Sequence, residues 1–94
     1  MARFAVQWVF NDNTEVRLKV RPTHREYLRQ LADRGLLLGA GPWDTDDGAL
    51  LIYEVTDRAQ LGELLAADPY TAAEVIAETR VREWNLVLGP WAES

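Results

Sequence analysis

Across residues 3–10, "RFAVQWVF", aromatic and β-branched side chains are interleaved with smaller ones, the composition of a pleated strand, which "NDNTE" then ends. From about Val16 the apolar positions return at helical spacing. Pro22 interrupts them, and its fixed φ and missing N–H predict the first position of a new helix with Tyr27, Leu28, Leu31 and Ala32 on one face. Gly35 predicts the stop. Two apolar runs, "LLLGAGPW" and "GALLIYEV", flank the acidic turn "DTDDG" and read as a β-hairpin. Thr56 or Asp57 is placed to cap a second helix whose buried stripe is Leu61, Leu64 and Leu65. Asp68-Pro69 closes that helix and opens a short one over "YTAAEVIAE", before a last strand through "RVREWNLVL". The order β-α-β-β-α-β predicts an α+β, ferredoxin-like domain over residues 1–94, a four-stranded antiparallel sheet with its helices on one face.

The strands do not alternate as a sheet with one wet face should. Phe4, Val6, Trp8 and Phe10 are interleaved with Ala5 and Val9, and Leu50, Ile52 and Val55 with Leu51 and Tyr53, so both faces read as apolar. Two helices cover one face only, and a bare apolar patch is poorly tolerated on a soluble monomer. The expected cover is a second copy of the chain, giving a homodimer packed through its sheet faces.

Composition narrows the function. With 94 residues, 48% hydrophobic and 27% charged, the chain is sized for one globular domain. The formal net charge of −5 and the absence of a dense block among its ten Lys and Arg residues argue against nucleic acid, which rewards clustered positive charge. Having no cysteine excludes disulfides, thiolate metal sites and a Cys nucleophile. A single histidine leaves little for a metal or haem, so no cofactor and no metal are expected. The start "MARFAVQWVF" lacks a cleavage signature and no apolar stretch approaches ~18 residues, which predicts a cytoplasmic protein without a membrane partner.

The chemistry centres on that one histidine. In the predicted topology the first helix begins where strand one ends, and the second helix finishes at the same end, which brings His24, in a first turn, to Asp68. The hairpin loop 42–47 arrives there too. The dipole at a helix start disfavours added positive charge, while a neighbouring carboxylate selects the imidazole tautomer, and together they define a general base. Tyr70 can donate to a developing oxyanion, and Arg21 can draw a carboxylate-bearing ligand. Plainer roles exist for each. Asp68-Pro69 is an N-cap signature in its own right, His24 and Arg21 suit a solvated helix face, and Tyr70 suits the core. The "DTDDG" turn lacks the spacing and closing glutamate of a calcium loop.

The segments "VRPTHREYLRQLADRGLLLGAGP", "LLAADPYTAAEV" and "VREWNLVLG" resemble the YciI-like family of the dimeric α+β barrel superfamily. The family's Arg-x-x-His falls on Arg21 and His24, its Asp-Pro-Tyr on Asp68, Pro69 and Tyr70, and Gly41-Pro42 also matches. The resemblance implies a homodimer of ferredoxin-like protomers, with the His and the Asp lining a pocket for a small molecule. Relatives that include a dehydrochlorinase and the muconolactone isomerases imply cofactor-free proton transfer on a small organic acid or cyclic substrate. Non-catalytic binding or an accessory role on the same barrel is the alternative. The compact "WDTDDG" turn is shorter than the segment family members often carry there, which opens the pocket and offers Trp43 as a stacking wall.

Overall fold

A computed structural model of the chain describes residues 1–93; Ser94, the last residue of the expected domain, lies outside the described residues. The elements run β1 (Ala2–Phe10), α1 (Thr14–Asp33), β2 (Leu37–Pro42), β3 (Gly48–Val55), α2 (Arg58–Ala67), α3 (Pro69–Ala72) and β4 (Ile76–Glu83), and a 3₁₀ turn spans Pro90–Glu93. The strands form one antiparallel sheet in the order β2-β3-β1-β4, the ferredoxin-like arrangement. Register puts Phe4, Val6 and Trp8 opposite Tyr53, Leu51 and Ala49. Those six residues are buried with Leu28 and Leu31 of α1 and Leu61 of α2. Gly48 is required where β3 meets β1, because a Cβ there would stand 2.2 Å from the Trp8 carbonyl oxygen.

α1 corrects the expected break at Pro22: it is one helix of 20 residues with Pro22 inside it. Proline removes the bond to the carbonyl of Leu18. Leu18 and Pro22 both lie on the exposed side of α1, where water can take up that carbonyl. The segments on either side continue a single face that carries the buried Arg17, His24, Leu28 and Leu31, and the packing of Val16 and Val20 before the proline and of Leu28 and Leu31 after it offsets the ~3 kcal/mol that an interior proline costs. The helix stops as expected at Gly35 (φ 76°), where Gly35 N–H donates to the Ala32 carbonyl (3.0 Å) and Leu36 N–H to Leu31 (2.9 Å). These bonds make a Schellman motif, and the side chains of Leu31 and Leu36 both enter the core.

The third helix is shorter than its sequence pattern predicts. Glu74 adopts a left-handed backbone (φ 56°), Asn11 Nδ2 donates to its carbonyl (2.7 Å) and Asn11 N–H to that of Val75 (3.0 Å), fastening the segment to the end of β1. The β-branched pair Val75-Ile76 then enters the sheet, Ile76 opposite Phe10. The last strand accordingly ends at Glu83, and "WNLVL" leaves the sheet.

The sheet face away from the helices carries Ala5, Val9, Leu50 and Ile52 between the charged groups Arg3, Glu54, Arg80 and Arg82. Part of it is covered by the chain itself. A Cβ on Gly39 would meet the Trp91 ring at 3.2 Å, and Arg3 Nη2 donates to the Trp91 carbonyl (2.8 Å). Ile52, opposite Gly39, is buried, whereas Val9 is 46% exposed.

Tyr53 points into the helix side of the sheet, fully buried, and its hydroxyl has no partner. Burial raises its phenol well above the ordinary 10.0, and the Asp68 carboxylate adds to the shift. In the unfolded chain the phenol ionises near its ordinary value, so the folded state binds the extra proton above it. The stability this contributes is complete below pH 10 and is lost as pH rises beyond it. Tyr53→Phe removes both the unpartnered hydroxyl and the titration. We expect it to gain about 1 kcal/mol at neutral pH and to flatten the alkaline decline in urea midpoint. A variant as alkali-sensitive as wild type, or less stable at neutral pH, refutes this account.

Candidate functional site

The sequence "DPY" builds the inner half of the site. A residue preceding proline is held in extended backbone, and Asp68 (φ −67°, ψ 131°) both ends α2 and caps α3. Its Oδ1 accepts from Tyr70 N–H at 2.9 Å, the cap predicted from local sequence. The same Oδ1 lies 2.7 Å from His24 Nδ1. Asp68 is fully buried and its Oδ2 has no partner among the described residues. The cap and the histidine contact are therefore two uses of one oxygen.

A carboxylate accepts, so the hydrogen of this contact lies on His24 Nδ1, and in the neutral ring Nε2 carries the lone pair. The imidazole is fixed in three directions. Tyr70 stacks on it with centroids 3.7 Å apart and planes 6° from parallel, and Trp8 lies tilted at 5.7 Å. Phe10 meets the far side of this cluster edge-on to Tyr70 at 5.8 Å. Because α1 is continuous, His24 sits well inside it and not in a first turn. The dipole argument for a neutral ring falls away, since that effect is confined to the terminal turn.

His24 and Tyr70 line a cavity of about 380 Å³ between α1, β2 and the β2–β3 hairpin, within the size range of small-molecule sites. Phe10, Leu28, Ala49 and Leu51 give it an apolar wall, and Asp68 stands behind His24, outside the lining. Arg21 lines it as well, with Nη2 3.5 Å from Asp46 Oδ2. Trp43 does not: its ring is laid over Gly48, which has no side chain to push it away, and it is absent from the cavity wall. The tryptophan is spent on closing the hairpin, whose ends bond through Trp43 N–H to the Gly48 carbonyl (3.0 Å).

Sequence reasoning passed over Arg17, Arg25 and Asp46. The signal was present in the four-residue spacing of Arg17, Arg21, Arg25 and Arg29, which a single helix gathers to one side. An assumed break at Pro22 divided the series. All four line the cavity. Arg17 is buried, its guanidinium 4.4 Å from the centre of the Phe10 ring and within 3.2 Å of Asp46 Oδ2. That hydrogen bond holds the Asp46 carboxyl below the usual carboxylate range. Among the described residues no group of three or more His, Cys, Asp or Glu is placed to hold a metal ion, and no helix is long and apolar enough to cross a membrane.

The four-stranded antiparallel sheet with its helices is the ferredoxin-like α+β fold of the dimeric α+β barrel superfamily. Within it the chain belongs to the family of the YCII-related domain, whose model matches residues 2–85. Protein YciI of Escherichia coli O6:H1 and Protein YciI of Shigella flexneri are each 36% identical to it over 86 residues, covering 81% of this chain and 88% of theirs. Among solved structures, the 5-chloro-2-hydroxyhydroquinone dehydrochlorinase of Burkholderia phenoliruptrix, in complex with 2,5-dihydroxybenzoquinone, superposes with a TM-score of 0.77 at 25% identity, covering 88% of this chain and 93% of that one. An antibiotic biosynthesis monooxygenase shares the fold at a TM-score of 0.62 and 21% identity, over 94% of this chain and all of that one.

Proposed function

We propose that the protein is a small, cofactor-independent enzyme that transfers a proton on a small organic acid or cyclic substrate, in the manner of a lyase, isomerase or dehydrochlorinase. His24 is the general base and Asp68 its orienting partner. The observation that carries this reading is the buried 2.7 Å contact between His24 Nδ1 and Asp68 Oδ1 on a residue that also lines the cavity. Asp68 presents the Nδ1–H tautomer, so Nε2 takes the substrate proton and the carboxylate stabilises the imidazolium that forms. In an elimination of HCl the proton passes to Nε2, its bonding pair becomes the new π bond and chloride leaves with its own pair. Tyr70 stacks on the base and lines the cavity, and Arg21 attracts the substrate's negative charge.

Support for this substrate class comes from the dehydrochlorinase whose structure resembles this one and holds a hydroxylated quinone. A second reading, non-catalytic binding of a small molecule, is favoured by the cap bond from Tyr70 N–H to Asp68, which gives the carboxylate a purpose without chemistry. Assay of the purified protein on a panel of hydroxylated and chlorinated hydroquinones, 5-chloro-2-hydroxyhydroquinone among them, separates the two. Turnover that disappears in His24→Gln supports the enzyme. Binding of 2,5-dihydroxybenzoquinone without turnover of any panel member favours the binder, and binding of none sinks both.

The working unit we infer is a homodimer through the open sheet face. Val9, Leu50 and Ala5 form an apolar centre there that Trp91 leaves uncovered, and the superfamily's assembly supports the same arrangement. Light scattering on the eluting protein is expected to give twice the 10.7 kDa chain mass. A mass that stays at one chain, or that is unaltered when Val9→Arg is introduced, overturns it.

A further inference from the structure

Three features of the cavity mouth remain after the His24–Asp68 pair is accounted for. The first is a concentration of positive charge: Arg17, Arg21, Arg25 and Arg29 all line this cavity, in a chain whose formal net charge is −5. The second is an incomplete partnership. Arg17 has a side chain only 5% exposed, yet Nη1 and Nη2 reach Asp46 Oδ1 and Oδ2 at 3.4 and 3.2 Å and Nη2 reaches the Asp46 backbone carbonyl at 3.3 Å, all longer than charge-assisted bonds prefer. Its Nε–H is buried and has no acceptor among the described residues. A guanidinium taken out of water this far normally has its donors satisfied.

The third is the placement of Asp46, the one acid among the described residues of the lining. Asp46 stands on the hairpin with a left-handed backbone (φ 59°) and a side chain 45% exposed, and it touches Arg17 and Arg21 at once. Its carboxylate can leave the arginines by turning into solvent, without disturbing the core.

We propose that Arg17 and Arg21 form an anion subsite for the carboxylate or phenolate oxygen of a ring-bearing ligand, and that Asp46 occupies it as an internal competitor until the ligand displaces it. The ligand's size follows from the helix. Arg21 and His24 are neighbours on one face, ~5–6 Å apart at their Cβ atoms, and Arg17 is two turns from His24, or ~10.5 Å along the axis. One six-membered ring with an anionic substituent spans that interval, its body against Phe10, Leu28 and Leu51. Because the hydrogen bond from Arg17 keeps Asp46 ionised, mild acid does not clear the subsite; a ligand or a substitution must. The inference rests on the cavity assigned above as the ligand site and is independent of whether His24 acts as a base.

The test is an NMR titration of the ¹⁵N-labelled full chain with sodium benzoate and, separately, with neutral benzamide of the same shape. Benzoate is expected to shift the Nε–H resonances of Arg17 and Arg21, and benzamide to bind at least tenfold more weakly. Asp46→Asn preserves the hairpin's shape but removes the competing charge. It should tighten benzoate about tenfold, equivalent to 1.4 kcal/mol, and leave benzamide unchanged. Arg21→Gln, at a half-exposed position whose loss spares the core, should weaken benzoate by a similar factor. Equal binding of the two probes, unmoved arginine resonances up to the solubility of benzoate, or a weaker benzoate complex in Asp46→Asn overturns the proposal. Turnover that depends on His24 beside silent arginines sinks this inference alone; responsive arginines beside absent turnover sink the enzymatic reading alone.

Discussion

His24→Gln is expected to lower turnover by ~10²- to 10⁴-fold while changing the affinity for 2,5-dihydroxybenzoquinone by less than about tenfold. The size of the effect is that of general-base catalysis, or about 3–5 kcal/mol of transition-state stabilisation. Glutamine is the informative replacement. It fills most of the imidazole's space between Asp68 and Tyr70 and can still donate to Asp68 Oδ1, so the fold has reason to persist. What it lacks is a nitrogen that can accept a proton near neutral pH. Because the rest of the cavity wall, its apolar side chains, its arginines, Asp46 and Tyr70, is untouched, ligand binding survives the change. Steady-state kinetics beside a binding isotherm checks this, and parallel loss of kcat and affinity would show that His24 only holds the ligand.

The second large effect is on stability. Asp68→Ala leaves two buried donors, His24 Nδ1–H and Tyr70 N–H, without their shared acceptor, and removes the cap that joins α2 to α3. Each buried donor so abandoned costs ~1–3 kcal/mol, so the loss should be about 3 kcal/mol. For a domain of this size that is a fall in Tm of at least ~12 °C. Asp68→Asn keeps an oxygen to accept from Tyr70 and should lose less than half as much. Thermal unfolding followed by circular dichroism makes the comparison. A shift in Asp68→Ala of only about 2–3 °C would mean that His24 and the cap find other acceptors, contrary to their burial.

Much of this architecture is legible in local sequence because the relevant forces are local. Gly35 permits the left-handed backbone that ends α1, Asp57 caps α2 by accepting from Gln60 N–H at 2.9 Å, and Asp68-Pro69 marks a chain turn whatever surrounds it. The meeting of His24 with Asp68 was legible at one remove, from the order of strands and helices and from the family resemblance, although His24 stands inside α1 and not in the first turn from which that meeting is argued. Pro22 was misleading for the opposite reason. The cost of an interior proline is local, whereas the packing of Val16, Val20, Leu28 and Leu31 against one core is a tertiary gain that offsets it. The arginine series became invisible with that break, and with it the electrostatic character of the cavity. "VIAE" was similarly decided at a distance, by Asn11 and the free edge of β1.

By itself the sequence determined the number and order of the elements, the turn chemistry between them, and the residue types from which a site can be made. Helical periodicity, glycine and proline geometry and capping act within a few residues and need no fold to operate. Tertiary structure alone decided that one Asp68 oxygen serves two donors, that Trp43 closes a hairpin and leaves the cavity wall to others, and that four arginines line one cavity in which two of them share Asp46. Those outcomes depend on distances between segments far apart in the chain, which are set only when the sheet's register brings its loops and helix ends together.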